Sequence, residues 1–351
     1  MPKETDCQPT LDPRDQNPTE FLHRASRLSL SPANARRWLA LVIGKGNYSI
    51  DECGRRGILP RRLVEKTCDL PRLHPENRLV SETSGFQKLI FRTSDNMIVE
   101  TVIIPLHKSG AYSICLSSQI GCVMGCSYCA TGRMHTQRDL HTWEIIDQFI
   151  QAREIVRCSG GKVTGAVFMG MGEPFLNYER VMAAAELLSY PIHAAISAKA
   201  ITISTVGLVM GIETFVSENR RFRLCISLGA ATDDKRKLLM PAAVHNPLSK
   251  IMAAARQYTQ LQRTRIMLSY VCISGMNVSE QDARDLAELI GDTPVRLDLI
   301  DVNDPTGRYL PPSAIELDEF RNALRHYVGQ PVVRRYSGGA DIMAACGSLG
   351  A

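Results

Sequence analysis

No run of about 18 consecutive apolar residues occurs in the 351-residue chain, so no membrane-spanning helix is expected. The first twenty residues, MPKETDCQPTLDPRDQNPTE, contain no apolar core of the kind a secretion signal needs. They read as a disordered leader over 1–19, and the protein is expected to stay in the cytoplasm. No internal repeat of fixed period is present, and beyond the leader there is no low-complexity tract. Charge of one sign is not in large excess. The formal net charge is +5, mildly basic and compatible with a polyanionic partner. What the chain does have is cysteine, 11 residues of it. In a reducing compartment that number does not mean a disulfide scaffold. An odd total with one tight local cluster points to metal ligation or cysteine chemistry. Cys7, Cys53, Cys68, Cys158, Cys225 and Cys272 read as core fillers or surface residues.

Hydrophobic residues make up 44% and charged residues 22%, a globular composition with room for one large domain and a small one. Residues 20–78 read as a small helical domain. Ser31 and Pro32 form an N-cap and first-turn pair ahead of ANARRWLALVIG, and PRRLVEKTC is a second helical stretch. Between positions 24 and 78 twelve basic residues face five acids, which suits a reader of the RNA backbone and also a solvated helix face. Residues 79–116 change to an alternating, β-branched pattern. GFQKLIFRT, NMIVETVIIP and AYSICLSS are separated by the turn signals SDN and KSG, as in an antiparallel meander. From 117 to 351 helices alternate with the strands GAVFMG, AITIST, FRLCISL, RIMLSYV, VRLDLID and PVVRRY. About six such units predict an α/β fold, a partial (β/α)6-type TIM barrel with a parallel sheet and right-handed crossovers. Its chemistry should gather at the C-terminal ends of the strands.

The most specific motif is Cys122-Val-Met-Gly-Cys126-Ser-Tyr-Cys129, with spacing C-x3-C-x2-C. Thiolates are soft ligands suited to iron–sulfur clusters or zinc. A cubane has four irons, so three cysteines leave one iron open to a small molecule. A structural zinc site would need a fourth ligand, which His135 could supply.

This three-cysteine loop resembles the signature of the radical S-adenosylmethionine (SAM) superfamily. Further segments narrow the likeness. SSQIGCVMGCSYCATG (117–132), VFMGMGEPFLN (167–177), ITIST (201–205), ISL (226–228), LIDVN (299–303) and SGGADIMAACGSL (337–349) are similar, in order, to the RlmN/Cfr branch, which methylates RNA adenine. The likeness runs from about residue 97 to the end. It implies a 4Fe–4S cluster on Cys122, Cys126 and Cys129, and SAM contacts from Gly172, Glu173, Ser204, Ser227, Leu228, Gly229 and Asn303. Read singly, each Ser or Asn would be a cap or turn residue, and Glu173 a solvated turn carboxylate.

The resemblance also implies a route to a carbon that cannot attack a sulfonium. One SAM methylates Cys346, and a second is cleaved to a radical that takes hydrogen from that methyl. The methylene adds to adenine, Glu100 accepts the ring proton, and Cys115 frees the product through a transient disulfide with Cys346. Taken alone, Cys115 and Cys346 would be structural thiols and Glu100 a solvated strand residue. The implied partners are ribosomal or transfer RNA and a reducing donor such as flavodoxin or ferredoxin, with no membrane and a monomeric enzyme. Carbon 2 of adenine is favoured over carbon 8.

The chain departs from the branch at several points. Gly229 stands where ISLHA has histidine, the usual segment after the cluster appears as MHTQRDL (134–140) with Arg138 retained, the motif around LIDVND is altered, and no basic tail follows Cys346. Two other readings stay open at this point. One is a radical enzyme of the same branch acting on a small molecule or peptide. The other is a non-enzymatic iron–sulfur protein that binds RNA or senses redox state.

Overall fold

The computed structural model describes residues 11–134, 137–192, 195–335 and 337–350. Short capped helices build the N-terminal part: α1 (Pro18–Arg27), α2 (Pro32–Leu39), α3 (Ile50–Arg55) and α4 (Arg61–Val64). The caps are those the sequence offers. Ser31 accepts from the Asn34 N–H with Pro32 in the first turn, and Asn17 accepts from the Glu20 N–H ahead of α1. Phe21 and Trp38 meet edge to face, 5.7 Å between ring centres, and close the core of this small unit.

The leader is a correction in part. Residues 1–10 lie outside the described residues, but the chain from Leu11 onward is packed. Arg14 is fully buried, 2.6 Å from Asp12 and 3.3 Å from Asp147, and donates to the Pro71 carbonyl at 2.7 Å. Charges that satisfy each other inside the fold look, in sequence, like a solvated tail.

The meander begins earlier than expected. β1 (His74–Val80) starts inside the segment read as helical, then pairs antiparallel with β2 (Gln87–Arg92), followed by β3 (Ile98–Pro105) and β4 (Ala111–Cys115). β4 pairs with β3 on one side and runs parallel to β7 (Lys162–Phe168) on the other. The meander and the parallel sheet are therefore one ten-stranded sheet. Beyond β7 the parallel order continues through β8 (Ile201–Thr205), β9 (Arg223–Ser227), β10 (Ile266–Cys272), β11 (Val295–Asp301) and the short β12 (Val332–Arg334). β1 and β12 are its open edges, so the barrel is partial, as expected.

A two-stranded piece, β5 (Gln119–Ile120) with β6 (Arg138–Asp139), brackets the cysteine loop, which itself contains the single turn α5 (Ala130–Arg133). The crossover helices are α6 (Thr142–Cys158), α7 (Tyr178–Ser189), α8 (Val209–Ser217), α9 (Asp233–Leu239), α10 (Leu248–Gln262), α11 (Glu280–Ile290) and α12 (Ala314–Val328). Capping boxes at Ser279–Asp282 and Ser313–Glu316 start the last two. The strands between them are nearly all apolar and buried, as a sheet covered on both faces requires. None of the described helices is long and apolar enough to cross a membrane.

Candidate active site

The cysteine loop leaves β5 through Gly121 and turns again at Gly125, both with left-handed backbone, φ +79° and +63°. It is fastened at its far side. Ser127 N–H donates to the Leu239 carbonyl at 2.9 Å, and Ser127 Oγ lies 2.9 Å from the Tyr309 hydroxyl. Gly132 lets α5 lie against the loop, since a Cβ there would sit 2.8 Å from the Cys126 carbonyl oxygen. Cys122, Cys126 and Cys129 all line one cavity at the C-terminal ends of the parallel strands. Burial pushes the Cys122 thiol up to about 12 and raises Cys126 and Cys129, and neighbouring thiols add to the rise at Cys122 and Cys126. Thiols that resist ionising together are ones a bound cation would favour as thiolates.

Among the described residues no three His, Cys, Asp or Glu side chains converge on one metal-ion position. His135, the fourth ligand of the zinc reading, lies outside the described residues. A cubane asks for something different, because each thiolate takes its own iron.

The rest of the lining is built from strand ends. After β7 the chain passes Gly172, φ +98°, where a Cβ would stand 2.6 Å from the Gln119 Cβ and 2.7 Å from its backbone nitrogen. Only glycine fits there, and it delivers Glu173. The Glu173 carboxylate is buried and accepts from the Phe175 N–H at 3.0 Å and the Val206 N–H at 2.8 Å. Burial lifts it to about 7 against those two donors. Ser204, Ser227 and Asn303, from the ends of β8, β9 and β11, line the same cavity, and so does Cys346. Asn303 Nδ2 donates to the Asp301 carbonyl at 3.0 Å.

Leu228 and Gly229 are not part of that wall. Leu228 is fully buried and its N–H donates to Ser269 O at 3.0 Å. Gly229 has φ +75°, and a Cβ there would meet Met240 Sδ at 2.4 Å. The space a histidine side chain would need is filled by methionine.

Glu100 and Cys115 sit beside the cavity, under the C-terminal segment. Cys115 packs with Val102, Met171, Ala344 and Leu349. Burial and the facing Cys346 push its thiol up to about 12, with Arg335 acting the other way. The segment is tied down at several points, among them a contact of 3.5 Å from Asn303 Nδ2 to the Cys346 carbonyl. Cys346 N–H donates to Ser337 Oγ at 2.9 Å, and the Gly347 carbonyl accepts from Ala130 N–H at 2.7 Å. The Leu349 carbonyl accepts from Thr131 Oγ1 at 2.6 Å, and Gly350 N–H donates to Glu100 Oε2 at 2.9 Å.

Several site residues carried no readable signal. Asp301 Oδ1 is buried at the cavity wall and has no hydrogen-bond partner among the described residues, while Oδ2 pairs with Arg334 at 2.7 Å. Arg236, from α9, is buried and donates to the carbonyls of Leu228, Asn246 and Val206, which locks the loops after β8 and β9. Arg335 turns inward to within 3.2 Å of Met169 Sδ and acts electrostatically on Cys115, Cys225 and Cys346.

Residues 116–290 match the Radical SAM superfamily. A probable RNA methyltransferase of Myxococcus xanthus is 41% identical over 92% of this chain and 90% of its own length. A probable dual-specificity RNA methyltransferase RlmN of Moorella thermoacetica is 36% identical over 97% of each. The chain belongs to the RlmN-type radical-SAM RNA methyltransferases. A crystal structure of a radical SAM methyltransferase from Sphaerobacter thermophilus superposes with a TM-score of 0.88 at 32% identity, covering 96% of this chain and 98% of that one. The protein is thus an RNA methyltransferase, and the resemblance read from its motifs is borne out. The cofactors of an RlmN-type enzyme are a 4Fe–4S cluster and SAM. The cavity fits both, for its lining brings together three thiols, a glycine turn, a buried carboxylate and an Asp301 oxygen that has no hydrogen-bond partner among the described residues.

Proposed function

We propose that the enzyme methylates a ring carbon of an RNA adenine, carbon 2 in preference to carbon 8, through a methyl group carried on Cys346. Cluster and SAM together would supply the methyl group and the one-electron cleavage that makes it reactive. In this reading Cys122, Cys126 and Cys129 hold the cluster. Gly172, Glu173, Ser204, Ser227 and Asn303 hold SAM, with the carboxylate of Glu173 toward its ammonium group.

The observation that carries the reading is the C-terminal segment. Over five residues it joins Cys346 to the cysteine loop through Gly347 and Leu349, and to Glu100 through Gly350, while Leu349 packs with Cys115. The Cys346 sulfur first displaces the sulfonium methyl, so that one S–C bond forms as another breaks. After a hydrogen atom is taken from that methyl, its carbon bonds to the ring and links protein to RNA. Glu100 takes the ring proton, and the one electron that the adduct gives up would return to the oxidised cluster, when bound. The Cys115 thiolate then attacks the Cys346 sulfur. The S–S bond forms, the S–CH2 bond breaks with its electrons on carbon, and a proton completes the methyl group. An external thiol reductant returns the disulfide to two thiols.

Segment 20–78 is assigned to the RNA backbone. Arg24, Arg27, Arg36, Arg37, Arg55 and Arg62 are among its exposed basic side chains. The substrate is ribosomal RNA, transfer RNA or both, and the dual specificity in the name of the Moorella relative supports more than one RNA target. A flavodoxin or ferredoxin would serve as reductant for the monomeric enzyme. The test is an anaerobic reaction with dithionite, SAM and total RNA from a deletion strain, read by nucleoside mass spectrometry. 2-Methyladenosine is the expected product. 5′-Deoxyadenosine without any methyladenosine would refute the assignment and favour a small-molecule or peptide substrate.

A further inference from the structure

The carboxylate assigned to proton removal is itself held in place. Lys88 on β2 stands opposite Val102 on β3, and Val102 stands opposite Cys115 on β4. Directly opposed residues share a face, and so do residues two apart along a strand. Lys88, Glu100, Val102 and Cys115 therefore project from one side of the sheet, the side the C-terminal segment covers. Lys88 Nζ lies 3.2 Å from Glu100 Oε1, and the two side chains are 5% and 6% exposed. Among the described residues Lys88 has no other ion-pair or hydrogen-bonding side-chain partner. The second oxygen of Glu100, Oε2, takes the Gly350 N–H.

A buried ion pair is a poor way to stabilise a sheet. The cost of stripping water from two charges offsets most of their attraction, and apolar residues of the same size would serve as well. A carboxylate enclosed by apolar groups does, however, need a countercharge to remain an anion. The two oxygens of Glu100 are also not equivalent. Oε1 is tied to another strand of the same sheet, whereas Oε2 is tied to the segment that carries Cys346. When that segment moves, Oε2 is released and Oε1 is not.

We propose that Lys88 is a positioning residue of the methyl-transfer reaction: it anchors Glu100 through Oε1 and balances its charge, so that Oε2 is presented to the ring proton once Gly350 withdraws. The inference rests on the reading of Glu100 as proton acceptor. The step served is one proton transfer. The C–H bond of the modified ring carbon breaks, its electron pair stays in the ring, and the proton moves to Oε2. Lys88 keeps its own protons throughout.

The experiment is an anaerobic single turnover with SAM, dithionite and unmodified RNA. 5′-Deoxyadenosine, covalent protein–RNA adduct and free methyladenine-containing RNA are followed in the same reaction. Lys88→Met is expected to form 5′-deoxyadenosine within about twofold of the parent, to accumulate adduct, and to release product at least about tenfold more slowly. Lys88→Arg, which keeps the charge, is expected to recover much of the release rate while its adduct still outlives the parent's about threefold. Adding Lys88→Met to Glu100→Gln should slow release no further, because the lysine acts through the glutamate.

Parental release from Lys88→Met overturns the proposal. A parallel fall in all three readouts also overturns it, since that is what a purely structural pair would give. Should Lys88→Met fail to fold, Lys88→Arg decides, and an unchanged adduct lifetime there is equally fatal. Failure of the underlying reading looks different: Glu100→Gln would itself release product at the parental rate, whatever Lys88 does.

Discussion

The release step should be limited by how rarely Cys115 is ionised. Its thiol is buried and pushed up to about 12. The attacking species is the thiolate, and a thiol at that value is ionised to only about three parts in 100,000 at pH 7.5. Each added pH unit multiplies that fraction by about ten, because the working pH lies far below the midpoint. The sign is set by the direction of the shift: a raised thiol gains thiolate as pH rises. The lifetime of the protein–RNA adduct should therefore fall about tenfold between pH 7.5 and 8.5, with no plateau below about pH 9. The assay is an anaerobic single turnover, aged at each pH after adduct formation, quenched in denaturant and resolved by gel shift. Cys115→Ala provides the limit in which adduct forms and does not decay. An adduct lifetime independent of pH, or a Cys115→Ala enzyme that releases methylated RNA, would refute the assignment of Cys115 as the resolving thiol.

Replacing Cys122, Cys126 and Cys129 together by alanine should abolish iron and sulfide in anaerobically reconstituted protein while leaving the far-ultraviolet circular dichroism intact; retained iron would count against the loop as the cluster site. Thr131→Val removes the donor to Leu349 O at 2.6 Å and leaves that carbonyl unpaired. A loss of about 1–2 kcal/mol should speed amide exchange over 346–350 about tenfold, with global urea stability nearly unchanged. Arg14→Met strands Asp12 and Asp147 and should cost about 3–5 kcal/mol in urea unfolding; a loss below about 1 kcal/mol would mean that residues 11–16 do not dock in solution.

The order of strands and helices was legible because nearly every element carries its own start signal and a buried apolar run. Ser31 acts as the cap read from its position, and Ser279 and Ser313 cap α11 and α12 in the same way. The elements that escaped notice lack such runs. β1, HPENRLV, is an edge strand exposed along almost its whole length, so it has no alternation to read. α9, DDKRKLL, is short and polar, and its buried residues are Arg236 and Leu239. Within the site, Gly172, Glu173 and the serines at strand ends were legible only through the resemblance, since read singly they are turn and cap residues. The run at the end of β9 was carried two residues too far, because Leu228 turns into the core and the backbone at Gly229 has crossed into the left-handed region. Arg335, Asp301 and Lys88 were invisible for another reason. Each is defined by what faces it across the sheet or cavity, and no spacing along the chain encodes that.

The same distinction bears on how one short segment would serve the several chemical tasks proposed for it. Its anchors, Ala130 N–H and Thr131 Oγ1 on α5, Ser337 Oγ at the start of the segment and Glu100 Oε2 on β3, come from three places in the fold, and each supplies a single hydrogen bond. A typical bond of this kind contributes about 1 kcal/mol net, so no one of them commits the segment. Apolar packing of Ala344 and Leu349 beside Cys115 adds a contact that can be lost and regained without leaving a buried charge unpaired. Charge is placed on the rigid side: Lys88 and Glu100 belong to neighbouring strands, and Glu173 is fixed by two backbone N–H groups. A division of this kind would let Cys346 travel while the groups assigned to cofactor binding and proton acceptance stay where they are. If the charges rode on the moving segment instead, every excursion would carry a desolvation cost of several kcal/mol per ion, and the swing between methyl capture and product release would be slow.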